Sequence, residues 1–237
     1  MGEIVEDPPW SVVLAQSEQD PLARLVAAQD GIIARWQARR FLSDKAIEHK
    51  LTSGRWRRAH RAVYNAHGGP LTPRQRQWIA VLPVTPDTPC DGGWPVRLAG
   101  VSALQVHGLR GVTTDQVHVV VVGGRRLLAP AGVIVHRVTT LTDEDLHPIA
   151  RPPSTSVGRA VVDACAWARS DDEARLIIVA SFQQRLVTAP EILAVLDRMP
   201  TVRRRHLVTV TTREASDGSH SLGELGLVSI CRAERLP

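Results

Sequence analysis

The chain is short of several residues that carry chemistry or covalent stability. Its 237 residues include two Lys, two Met, two Phe, one Tyr and three Cys. Cys90, Cys165 and Cys231 are odd in number, far apart and form no Cys-x-x-Cys pair. They read as structural thiols in a reducing compartment, not as a disulfide framework or a thiolate metal site. No two of the nine histidines stand three or four residues apart, so no zinc site is expected. No apolar run is long enough to span a bilayer, and no membrane partner is expected. The opening "MGEIVEDPPW" is acidic and holds a Pro pair, whereas a secretory leader begins basic and turns apolar. The expected location is therefore cytoplasmic. The Walker spacing is missing, so "VVVVGGRR" reads as a strand and a hairpin turn, not a phosphate loop. The Gly-x-Ser-x-Gly spacing of a nucleophile elbow is missing as well. Asp217, His220 and Ser221 in "DGSHSLGELG" therefore carry no case for a triad. No cofactor, metal or catalytic residue is expected.

Arginine is abundant. It supplies all the basic residues except Lys45 and Lys50, a skew that a GC-rich genome produces everywhere. The formal net charge of +5 thus says less than its distribution. Between Arg35 and Arg76, eleven cations face only Asp44 and Glu48, a net +9 that leaves the rest of the chain at −4. Base composition does not segregate charge in this way. A basic module on a mildly acidic body points to a polyanionic partner.

Local signals give that module a shape. In "DPLARLVAAQDG", Asp20 suits an N-cap, Pro21 the first helical position and Gly31 the stop. "IARWQARRFL" reads as a second short helix. Ser43 caps a third, "DKAIEHKLT", which Gly54 ends, with Ala46, Ile47 and Leu51 facing inward. "RWRRAHRAVYN" then reads as a hairpin turning near His60–Ala62. Three helices followed by a basic hairpin is the winged-helix order, in which the third helix enters the major groove and the hairpin lies along the backbone or minor groove. On this reading Lys45, Glu48 and His49 reach base edges, Ser43 and Asp44 cap or touch phosphate, and Lys50 and His60 belong to the same surface. Arg57, Arg58 and Arg61 contact phosphate, with Arg55 at the mouth of the hairpin. Trp56 and Tyr64 pin the hairpin to the helices. The competing reading is a solvated charged surface.

After the break at Gly68–Pro70, Thr72 and Pro73 start a helix. "LAGVSALQVHGL" reads as a helix, "DQVHVVVV" and "GVIVHRVTTL" as a strand and its hairpin partner, and "SVGRAVVDACAWA" as a helix. "DDEARLIIVASFQQRLVTAPEILAVLDRMP" reads as two helices broken at Ala189–Pro190, and "VRRRHLVTVTTREA" as another. "VRRR" reads as a solvated helix face, with a second nucleic-acid patch as the alternative. The expected fold class is α+β, a winged helix-turn-helix followed by a mixed α/β domain. Residues 1–19 form a lead-in, 20–68 the winged helix, 72–215 the α/β domain and 216–237 a final segment.

From Leu22 onward the chain resembles the actinobacterial AbiEi-like type IV antitoxin and transcriptional-regulator family. The likeness rests on "GRWRRAHRAVYNA", "LTPRQRQWIAVL", "LAGVSALQVHGL", "VHVVVV", "VIVHRVTTL", "PPSTSVGRAVVDACAWA", "QRLVTAPEIL" and "SHSLGELGLVSICRAERLP", in that order. It implies a DNA-binding transcriptional regulator, an antitoxin-like autorepressor of a toxin–antitoxin system. It further implies double-stranded DNA as partner and a cognate toxin protein as a second partner through residues 75–215. Winged-helix proteins often read two half-sites as dimers, so a homodimer is among the assemblies considered. Many relatives continue into a domain similar to very-short-patch-repair endonucleases, and Glu224 matches an acidic position of its first helix. The later acidic and Lys motifs would lie beyond Pro237, so the resemblance implies a truncated relative with no complete nuclease site. An inactive nuclease remnant is the alternative reading. The family's hairpin tip has Gly where this chain has Ala62.

Overall fold

In this computed structural model, residues 20–67, 69–83, 95–123 and 129–217 are described. The chain divides into two compact units, 1–85 and 86–237, each mixing helix and strand. The architecture is α+β.

The first unit begins with α1 (Pro21–Ala28). The Asp20 carboxylate accepts from the Leu22 N–H at 2.9 Å, and Pro21 occupies the first turn, as the sequence signals. The next segment differs from the single helix expected of "IARWQARRFL". Ile32–Ala34 forms strand β1, and only Arg35–Ala38 is helical, as α2. Ile32, Ile33 and Ala34 are wholly buried, so burial on both faces outweighs helical spacing here. Helix α3 (Asp44–Thr52) starts where the Ser43 hydroxyl accepts from the Ala46 N–H at 3.2 Å. It ends before Gly54, whose φ of +73° suits glycine. Strands β2 (Arg57–His60) and β3 (Val63–Asn65) form the expected hairpin. β3 lies between β1 and β2, antiparallel to both.

Leu22, Ile33, Ala38, Ile47, Trp56 and Tyr64 make the core of this unit. Trp56 and Tyr64 stack with ring centroids 5.8 Å apart, which joins the hairpin to the helices. Such a pair contributes about 0.5–1.5 kcal/mol beyond its area. Gln29 and Gln37 hold a buried reciprocal amide pair at 3.0 and 2.7 Å. Helix α4 (Pro73–Val81), capped by Thr72, is tied to the same unit at Asp30. The Asp30 carboxylate takes Arg74 and the Trp78 indole N–H, each at 2.9 Å, and its carbonyl accepts from the Gln75 amide at 2.7 Å.

The second unit holds β4 (Val96–Leu98), α5 (Gly100–Val106), β5 (Val117–Val122), β6 (Val133–Val138), α6 (Val157–Trp167), α7 (Asp171–Gln183), α8 (Ala189–Arg198) and α9 (Arg205–Asp217). β5 is central, antiparallel to β4 and parallel to β6. The parallel pairing overturns the hairpin expected at "GGRR". Val117 opposes Val133, so the chain must return the full length of β5 before β6 begins. Six residues at about 3.3 Å each leave a return of roughly 20 Å, which no tight turn spans. Residues 124–128, which include the last three of "GGRR", lie outside the described residues. β4 is a short, fully buried strand without a sequence signal of its own. The break between α7 and α8 falls at 184–188, with Ala189 already helical and Pro190 in the first turn.

A buried ionic network braces this unit. The Arg159 Nε donates to both Asp163 oxygens at 3.1 and 3.0 Å, and another of its nitrogens reaches Asp145 at 3.0 Å. Arg198 reaches Asp145 at 3.0 Å and Glu144 at 2.8 Å. Burial pushes the Asp163 carboxyl up to about 6, despite its Arg159 partner. Burial would raise Asp145 too, but Arg198 and Arg159 outweigh it and hold that carboxyl below its ordinary value. Within "VRRR", Arg203 is exposed, whereas Arg204 and Arg205 are taken up by the fold and do not form a free basic patch. Arg204 buries its guanidinium against the carbonyls of Cys165 and Ala168 at 3.1 and 2.9 Å and pairs with Asp171 at 2.7 Å. Arg205 donates to the carbonyls of Leu196 and Met199. Cys165 is buried, and burial pushes its thiol up to about 12, which suits a structural thiol. Cys90, Cys231 and Glu224 lie outside the described residues.

Candidate nucleic-acid interface

Helix α3 buries Ile47 and presents Asp44, Lys45, Glu48, His49 and Thr52 to solvent. These positions follow i, i+1, i+4, i+5 and i+8, one continuous helical face. Ser43, also exposed, caps its N-terminus. Lys50 does not share this face. It is half-buried, with Nζ 5.4 Å from the centre of the Trp56 ring, and its carbonyl accepts from the Trp56 N–H at 2.8 Å. Its cation is drawn to the core aromatic, away from a groove-facing position.

Both acids on this face are already held by arginines. Asp44 takes Arg35 at 3.0 Å and Arg39 at 3.5 Å. Glu48 takes Arg58 at 3.7 Å. The first two arginines come from α2 and the turn after it, the third from the hairpin. A phosphate approaching α3 therefore meets compensated carboxylates with cations around them. Arg40, Lys45, Arg55 and Arg61 are exposed and make no ion pair among the described residues.

The hairpin splits the arginines that the sequence groups together. Arg58 opposes Tyr64 and Arg57 opposes Asn65. Successive strand residues face opposite sides. Arg58 lies on the α3 side, where it reaches Glu48, and Arg57 leaves from the other face. The register shifts between Arg58 and His60, a bulge that re-aims the strand before the turn. His60 is half-buried and Arg61 stands exposed at the turn. Ala62, beside it, has φ +58°, the left-handed conformation that glycine adopts most easily. Its carbonyl accepts from the Arg35 N–H at 2.7 Å, which ties the turn to the start of α2.

The structure thus brings Ser43, Asp44, Lys45, Glu48, His49 and Arg58 to one neighbourhood on α3. It draws Lys50 to Trp56 and sends Arg57 to the opposite face of the hairpin. Sequence reasoning counted Arg35 and Arg39 in the basic segment but did not place them at the site. Their i, i+4 spacing across a short helix and its C-cap, a few residues before Asp44, was the available signal. Among the described residues no group of three or more His, Cys, Asp or Glu side chains could hold a metal, and no helix is long and apolar enough to cross a membrane. No family model and no curated protein matches the chain.

Proposed function

We propose that residues 20–67 form a winged helix that binds double-stranded DNA, and that the protein is a transcriptional regulator of the antitoxin-like, self-repressing kind. The observation that carries this reading is the composition of the α3 face. Its two carboxylates are neutralised by Arg35, Arg39 and Arg58, while Lys45 is left for a polyanion. Helix, strand, short helix, helix and hairpin, with a three-stranded antiparallel sheet, is also the winged-helix order. In this reading Lys45, His49 and Glu48 face base edges, and Ser43 lies at the helix N-terminus near a phosphate. Arg55, Arg58 and Arg61 follow the backbone and fix position without reading sequence. A toxin partner for residues 75–215 rests on the family resemblance alone, and the nuclease remnant rests on Glu224.

The test is a titration of full-length protein with duplex DNA across a range of salt. Removing one phosphate contact reduces the slope of log K against log salt by about 0.9. Arg61→Ala should do so while lowering affinity equally for all sequences. Replacing Lys45 and His49 by Ala should instead narrow the difference between preferred and unrelated DNA. A salt slope unchanged by Arg61→Ala together with Arg58→Ala removes the hairpin from the interface.

A further inference from the structure

In the second unit, α5, β5, β6, α6 and α7 border a cleft of about 240 Å³. Its apolar lining comes from Val101, Ile134, Ala164 and Ile177, and its polar lining from His118, Glu173, Arg169, Thr113 and Gln116. Arg169 and Glu173 share this space without pairing by charge. The Arg169 backbone N–H donates to the Glu173 carboxylate, while its guanidinium makes no ion pair among the described residues. One cationic and one anionic side chain therefore border the same small volume.

One wall is fixed by a stack of rings. His118 Nδ1 lies 3.0 Å from His136 Nε2, and the His136 ring lies parallel to the Trp167 indole with centroids 3.4 Å apart. Burial lowers the basicity of both imidazoles, His136 to about 4. The tautomer in which His118 Nδ1–H donates to His136 leaves the His118 Nε2 lone pair for a ligand. Gly100 packs closely against Trp167. Its φ is +54°, and a Cβ there would sit 2.9 Å from the indole ring. The stack is built closely enough to serve as a fixed wall.

We infer that this cleft binds a free α-amino acid with an apolar side chain. The ammonium group sits on Glu173 and His118, the carboxylate on Arg169 and the Thr113 hydroxyl, and the side chain among Val101, Ile134 and Ile177. A ligand carrying only a negative charge would leave Glu173 opposing it, and one carrying only a positive charge would leave Arg169 unmatched. The volume lies below the roughly 300–1,000 Å³ of sites for drug-sized molecules, which suits a ligand the size of a single amino acid. The inference does not depend on DNA binding.

Calorimetric titration of the full chain with L-Val, L-Leu, L-Ile, L-Met and L-Phe tests it. At least one of them should bind. The analogues lacking one charged group, 3-methylbutylamine and 4-methylpentanoate in the case of L-Leu, should bind at least tenfold more weakly. Arg169→Gln should weaken binding at least tenfold with the near-ultraviolet circular dichroism unchanged. Glu173 also accepts a backbone N–H at the start of α7, so a cleft-filling Val101→Phe variant serves as the second probe and should abolish binding. Absence of binding by all five amino acids up to about 10 mM, the range of a marginal −3 kcal/mol site, would overturn the assignment. Equal binding of the amine or the carboxylate analogue would overturn it too, as would full binding by Val101→Phe.

Discussion

Ala62 sits at the tip of the hairpin with φ +58°, where a side chain is strained by about 1 kcal/mol relative to glycine. Ala62→Gly should raise the stability of the full chain by about that amount, read as a higher urea midpoint at unchanged slope. No gain would mean that the surrounding turn already relieves the strain. Trp56 is a different kind of residue, only 6% exposed and stacked on Tyr64. Trp56→Ala should cost about 3–5 kcal/mol, as large-to-small changes in packed cores do. Glu48 holds Arg58 at 3.7 Å on an exposed surface, where the pair contributes little to stability. Glu48→Gln should leave the urea midpoint nearly unchanged, yet strengthen binding to unrelated duplex DNA at low salt by releasing Arg58. Weaker binding to unrelated duplex would contradict the masking of Arg58 by Glu48. Local residues such as Asp20, Ser43 and Thr72 were legible in the sequence because a cap is a bond between a side chain and its own neighbourhood. Arg204 was not legible. Its partners, Cys165, Ala168 and Asp171, are more than thirty residues away.

At the level of elements, helix periodicity and caps identified α1 and α3 through α9, and the hairpin β2–β3 followed from its β-branched and aromatic content. Besides β4, three features escaped that reading, each for a physical reason. β1 is three residues of wholly buried chain, too short to show a period. β6 pairs parallel to β5, and pairing direction is a tertiary property that a Gly pair between two apolar runs does not encode. The position of Arg57 depends on the hairpin register, because a one-residue difference changes the face of the sheet. This last feature carries its own prediction. Arg58→Ala should lower the slope of log K against log salt by about 0.9, and Arg57→Ala should lower it by less. Equal losses from the two single variants would show that strand alternation does not separate them on DNA.

At the scale of the molecule, the cations concentrate in the first unit, which has a net charge of +4 over residues 1–85, while residues 86–237 are close to neutral at +1. The second unit is braced by Arg159, Arg198, Asp145 and Asp163, a network that titrates in opposite directions at its two aspartates. Asp163 has a folded pKa of about 6, above its ordinary value. The native state therefore holds its proton more tightly than the unfolded chain, and this contribution to stability is lost as pH rises from about 4 to about 6. Asp145 is held below its ordinary value, so its contribution is present above about pH 4 and lost on acidification below that. Asp163→Asn should flatten the stability profile between about pH 4 and pH 6, measured by urea unfolding, and leave the acid limb in place. An unaltered profile would place the titration on another group.

The central claim is that the basic unit binds DNA. Its most direct test is the binding of full-length protein to labelled duplex from its own upstream region and to unrelated duplex, each at low and at moderate salt. The account predicts tight binding to the upstream duplex that survives unrelated competitor, with affinity falling as salt rises. No binding to either duplex at low salt would contradict it.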